Sequence, residues 1–287
     1  MVVWQELDRL ARRSERKFRQ AFMSAVAGMK ARVDLAELAN QIATNRPAAK
    51  LPVIEDKDFG AVGRAAEELF RAAAQLVVQR TTFKHVRKAG EMVARLDMVN
   101  QRTVDFLRRY KFELVSGLTA DSRTALRTTI TRAFESGGHP YQQAREIRDA
   151  IGLTQRQANA VFNYRDALEA EDRTDEQIDR MVERYADRQL TQRAETIART
   201  ETIRASAAGQ QEVWRQAVEE GFLLPSQTKR VWVVTPDDRL CEICSAIPEL
   251  NPDGVGLEET FETELGPVLS PPVHPNCRCA VSLEIAT

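Results

Sequence analysis

Two short stretches, Cys241-Glu-Ile-Cys244 and His274-Pro-Asn-Cys277-Arg-Cys279, hold every cysteine of the chain and one of its three histidines. A thiol pair two residues apart, met about thirty residues later by a second pair and a histidine, has the spacing of a zinc site closed by a loop. On either side lie β-branched segments. Val231-Trp-Val-Val-Thr235 reads as a strand, and from Cys279 to Ile285 the residues Val281, Leu283 and Ile285 alternate onto one face. Antiparallel pairing of the two would bring Cys241 and Cys244 to the residues that enter the second strand. The Gly-, Pro- and acid-rich stretch from Glu249 to Pro272 then becomes an excursion loop tied at its base.

Everything before Pro225 reads as helix. From Trp4 to Ile42 the residues Phe18, Phe22, Val26, Met29 and Val33 recur at helical spacing, giving one long amphipathic helix or two in succession. Arg12, Arg13, Arg16, Lys17 and Arg19 lie mostly off that stripe, with Asp8 and Glu15 among them, which suits a solvated face. Residues 45–56, with Pro47 and Pro52, break the pattern as a linker. Helices follow from about Asp58 to Val77 and from Met92 to Val115, the second stopped by Ser116-Gly117. Thr119 then serves as N-cap of a helix ended by Gly137-Gly138. His139-Pro140 reads as an ordinary turn, and the helix from Tyr141 to Ile151 ends at Gly152. Thr154 with Gln157, and Thr174 with Gln177, have capping-box spacing. Leu190 to Glu220 is a long helix in which Glu195 and Arg199 are placed for a surface ion pair. The fold class is therefore mainly α, with long N-terminal helices and a small C-terminal α+β module whose short antiparallel strands bracket a zinc-stapled loop.

Composition limits the function. The chain of 287 residues carries a net charge of −1. Residues 236–287 hold ten acidic residues against Arg239 and Arg278, a net of −8, which leaves +7 for the first 235. A nucleic-acid-binding zinc ribbon needs clustered cations, so contact with DNA is expected, if anywhere, from the basic N-terminal helices. Residues 1–44 lack an apolar run of spanning length, and the expectation is a soluble protein made in a reducing cytoplasm without a membrane segment. Four cysteines there favour metal or reduced thiols over disulfides.

The candidate ligands are Cys241, Cys244, His274, Cys277 and Cys279. A structural zinc takes four such donors and leaves no position for substrate. Four thiolates, or three and the imidazole, both satisfy the spacing. Catalytic alternatives lack their residues. None of His85, His139 and His274 begins an H-x-E, none is followed by Glu, and no glycine directly precedes a lysine as in a phosphate-binding loop. Asp237, Asp238 and Glu242 disfavour a redox thiolate at Cys241-x-x-Cys244.

The run Asp238-Arg239-Leu-Cys241-Glu-Ile-Cys244, then Pro271-Pro-Val-His274-Pro-Asn-Cys277-Arg278-Cys279, preceded by Ala198-Arg199-Thr-Glu201-Thr202, resembles the bacteriophage head-morphogenesis family of minor capsid proteins similar to protein F of phage Mu. The resemblance is specific over 174–285, looser over 92–174, and says little about 1–90. It implies a non-enzymatic minor head protein in the virion, at the portal vertex. Its expected partners are the portal protein and capsid or scaffold proteins, and its role is in head assembly, DNA packaging or delivery. Residues 1–90 would dock, and 91–287 would form the head-morphogenesis domain, with Asp238, Arg239, Arg199, Glu201 and Arg278 as motif residues beside the cysteines. Two other classes stay open: a nucleic-acid-binding accessory protein, and an entry-related enzyme using Glu195, Glu201 or His274.

Overall fold

A computed structural model of the chain describes residues 3–44, 53–81, 97–98, 100–136, 139–171, 173–235 and 240–285. Asp238, Arg239, His85 and the Gly137-Gly138 stop lie outside the described residues, as do 45–52 of the linker. In chain order the elements are α1 (Val3–Ala31), α2 (Leu35–Ala43), α3 (Gly60–Arg80), α4 (Gln101–Ser136), α5 (Pro140–Ala150), α6 (Gln155–Glu169), α7 (Asp175–Glu219), β1 (Thr228–Val233), α8 (Glu242–Leu250) and β2 (Ala280–Ile285). Mainly helical architecture with one C-terminal antiparallel strand pair is thus the fold. No helix among the described residues is long and apolar enough to cross a membrane.

Local sequence explains most boundaries. Thr154 and Gln157 close a reciprocal box at the start of α6, and Thr174 with Gln177 does the same before α7. The N-terminal stripe divides into α1 and α2, the second capped by Asp34, whose carboxylate accepts from the amides of Ala36 and Glu37. Ser116-Gly117 does not stop a helix: α4 runs through it. Ser116 Oγ bonds back to Phe112 O at 2.6 Å, and Thr119 Oγ1 to Val115 O at 2.9 Å, so Thr119 is an interior residue and not a cap. Burial of Leu114, Val115 and Leu118 on this stretch outweighs the roughly 1 kcal/mol that an interior glycine costs relative to alanine. Likewise the helices expected from Thr174 and from Leu190 are one, the 45-residue α7.

The chain forms two compact units, each from separate segments. The first comprises residues 1–18, 64–110 and 196–287, and the second 19–63 and 111–195. In the second, Phe22 stacks on Phe59 with centroids 5.7 Å apart. Arg193, buried over the Phe22 ring, donates to Gly152 O at 2.9 Å and to Asp121 at 3.1 Å. Gly152 ends α5 in the left-handed conformation, φ 84°.

In the first unit α3 meets α7 at Gly209, where a Cβ would stand 2.5 Å from Phe70 O. Leu7, Ala73, Val77, Trp214 and Ala217 form one apolar cluster with Trp232, Val281, Cys244, Cys277 and Cys279. The two strands pair antiparallel with Trp232 opposite Val281 and Val233 opposite Ala280, as the alternation required. The other edge of β1 takes up the excursion loop: the amide and carbonyl of Arg230 exchange hydrogen bonds with Val255. A second bridge, Phe261 to Val268, closes the loop on itself.

Candidate metal centre

The first thiol pair sits at a helix start. Cys241 is the N-cap of α8, its Sγ accepting from the Cys244 amide at 3.4 Å, and Cys244 lies in the first turn. The unpaired amides and dipole of a helix N-terminus favour thiolate there. His274 comes from the loop's far end and places Nε2 at 3.1 Å from both Cys241 Sγ and Cys244 Sγ. Its Nδ1 lies 2.8 Å from Pro275 O. A carbonyl can only accept, so Nδ1 carries a proton, and in the neutral imidazole the Nε2 lone pair faces the two sulfurs. One residue on, Asn276 adopts φ 64°, and the Cys277 amide bonds to His274 O at 3.1 Å. That turn delivers Cys277 Sγ to within 4.0 Å of Cys244 Sγ.

The five donors fall into two groups, Cys241 with Cys244 and His274, and Cys244 with Cys277 and Cys279, the atoms of each lying within 4.8 Å of one another. Cys244 belongs to both. All four cysteines are free, and all but Cys241 are buried.

Charge within the group is unevenly shared. Hydrogen bonds from Cys244 and Cys279 hold Cys277 down to about 2 against the opposing effect of burial, while its bond to Cys277 pushes Cys244 well up. Cys279 is lowered most by its hydrogen bond with Cys244, but its contact with Cys277 and its burial together outweigh that and raise it to about 12. At Cys241 burial raises the thiol, and the Cys244 amide with His274 reverses that to a net lowering. His274 itself is lowered by burial but raised overall by the Pro275 carbonyl and the neighbouring sulfurs. Sulfurs this close need protons between them or a cation in their place.

The donor set fits a metal. Soft thiolates with an imidazole whose second nitrogen is held by a backbone carbonyl are what zinc takes as ligands and supporting shell. The buried indole N–H of Trp232 has no partner at full hydrogen-bond geometry among the described residues, and the sulfur whose thiolate it favours is that of Cys279. A metal-bound thiolate on Cys279 would give this donor its acceptor.

The remaining motif residues do other things. Arg199 and Glu195 do not pair with each other. Arg199 faces Glu15, and Glu195 faces Arg19, each at 3.6 Å: the two share one face of α7, and on that face each meets an opposite charge from α1 instead of the other. Glu201 is buried, accepts from the Tyr110 hydroxyl at 2.9 Å and pairs with Arg204 at 3.3 Å. Arg278 contributes its carbonyl, which accepts from Thr235 Oγ1 at 2.7 Å. One contributor had no signal in the sequence. The side chain of Arg230, fully buried, donates to the carbonyls of Gly256, Leu269 and Glu259 and to Gln211 Oε1.

The family model of phage Mu protein F like proteins matches residues 124–282, more than half of the chain and all five metal-ligand candidates. The chain belongs to the phage Mu protein F-like family. No curated protein and no solved structure matches it. As a Mu F-like chain it falls among phage head-morphogenesis proteins, a family structural in kind, with capsid-related partners and a place in the virion.

Proposed function

We propose that the protein is a non-enzymatic minor head protein that associates with the portal and acts in head assembly, DNA packaging or delivery, and that a structural zinc fastens its C-terminal module. Residues 91–287 are the head-morphogenesis domain in this reading, and the helical region 1–90 docks on portal or capsid. The observation that carries it is the convergence, within the stretch matched to the family, of five sulfur and nitrogen donors on one apolar cluster at the root of an acidic loop. Zinc is held by Cys244 with three of Cys241, His274, Cys277 and Cys279. When bound it supplies charge neutralisation and a crosslink between α8 and the turn before β2.

Co-expression with the portal and capsid proteins of the same phage tests the head role. The protein is expected to co-purify with portal-containing procapsids in a few copies, and its absence from them would sink the reading. A second reading, contact with packaged DNA, rests on an open groove of about 430 Å³ between α1 and α3, lined by Arg9 and Arg13 and by Arg80, which pairs with Glu6 at 2.9 Å. DNA affinity that falls steeply with salt and with loss of Arg13 and Arg16 is the expected sign.

A further inference from the structure

Helix α7 is hydrogen-bonded to the metal-bearing turn at Asn276. The backbone amide of Asn276 donates to Thr200 Oγ1 at 3.1 Å, and Asn276 Nδ2 donates to Thr196 Oγ1 at 3.3 Å. The two threonines are one helical turn apart, so their hydroxyls stand on the same face. Thr200 is itself oriented, since its hydroxyl proton goes to Thr196 O at 2.7 Å and a lone pair is left for the Asn276 amide. Asn276 is also the residue with φ 64°, a backbone state that costs a non-glycine residue energy unless the surroundings hold it. Only Pro275 and Asn276 separate the donors His274 and Cys277. Pro275 O fixes the imidazole through Nδ1, and the threonine pair fixes the residue next to it.

We infer that Thr200, braced by Thr196, is a positioning residue for the metal centre. It clamps Asn276 in the left-handed turn that sets His274 Nε2 and Cys277 Sγ toward Cys244, so that metal occupancy and the docking of α7 on this turn are one equilibrium. The inference rests on the zinc reading above and deepens it. It also gives the Ala198–Thr202 segment of α7 a task, although that segment supplies no ligand.

The test is metal affinity, measured on the full chain by competition with a chromophoric chelator for Zn²⁺ and by the visible absorption of Co²⁺ in the same site. Thr200→Val removes the acceptor while keeping the shape. It is expected to weaken binding about 10–100-fold, the usual loss when an outer support of a metal ligand is removed, and to change the Co²⁺ spectrum. Thr200→Ser should restore both. Thr202→Val is the control for helix damage: Thr202 is likewise buried on α7 and bonds to Arg199 O, so its affinity should match wild type. Zinc affinity unchanged in Thr200→Val, or weakened equally in Thr202→Val, overturns the positioning role and leaves the metal site standing. Failure of the wild-type chain to bind zinc overturns both.

Discussion

The guanidinium carbon of Arg230 lies 5.1 Å from the centroid of the Phe261 ring, and neither side chain is exposed to solvent. Arg230 comes from β1 and Phe261 from the acidic loop, so a strand residue serves as the loop's internal post. Its donors hold Gly256, Glu259 and Leu269 by their carbonyls. Replacing Arg230 by Met keeps the ring contact and strands those acceptors. Each buried group left unsatisfied costs about 1–3 kcal/mol, so destabilisation on the order of 3 kcal/mol or more is expected in urea denaturation, with faster proteolysis between residues 249 and 272. A loss below about 1 kcal/mol would mean that water reaches the carbonyls.

Metal removal should act through Cys244 above all. It belongs to both donor groups, whereas Cys241 and Cys279 each belong to one. Cys244→Ser is expected to abolish zinc, and Cys241→Ser or Cys279→Ser to retain it at lower affinity. A site kept at about a thousand times its Kd contributes about 4 kcal/mol, and a chelator should withdraw that amount from wild type and little from Cys244→Ser. Metal analysis with thermal denaturation decides, and equal zinc in all three variants would contradict the shared role.

Glu201 predicts a pH dependence. Burial raises its carboxyl above the ordinary glutamate value, against the opposing effects of Arg204 and the Tyr110 hydrogen bond. A carboxyl raised in the folded state contributes stability that is complete below its unfolded pKa, about 4.3, and lost as pH climbs through the folded value. Between pH 7 and pH 5 wild type should therefore gain stability relative to Glu201→Gln. Comparing the two proteins at each pH cancels the metal's own response to acid. A parallel pair of curves would show that Glu201 titrates as it does unfolded.

Two glycines in long helices should respond with opposite sign. A Cβ at Gly117 meets nothing within 4 Å, and one at Gly209 meets Phe70 O at 2.5 Å and Ala74 N at 3.2 Å. Gly117→Ala should stabilise by about 0.5–1 kcal/mol through helix propensity. Gly209→Ala collects the same gain but must push α3 backbone aside, and a net loss of about 1–3 kcal/mol is expected. Melting temperatures of the two variants check both signs.

What could be read in advance was whatever repeats locally. The Thr-x-x-Gln boxes and the strand alternation act within a few residues, and each took the place its pattern required; the cysteine stretches, read from their spacing, meet in groups that could hold a metal. Ser116-Gly117 misled because a stop signal of about 1 kcal/mol competes with apolar burial along the whole of α4. Glu195 and Arg199 misled because a charge chooses its partner from neighbouring helices as well as its own. Arg230 and the Thr200–Asn276 bond gave no signal at all: their partners lie up to 39 and 76 residues away, and nothing in either segment announces the other.

The segmented make-up of the first unit has a bearing on synthesis. Leu7 and Ala73 belong to the same apolar cluster as Val281, so this cluster is complete only once residues 196–287 have left the ribosome. Until then Leu7 of α1 and Ala73 and Val77 of α3 lack those partners, and uncovered apolar residues open a nascent chain to aggregation and to chaperones. Since that closing segment also carries all four cysteines, zinc supply is expected to govern the yield of soluble protein during expression as well as the stability of the finished molecule.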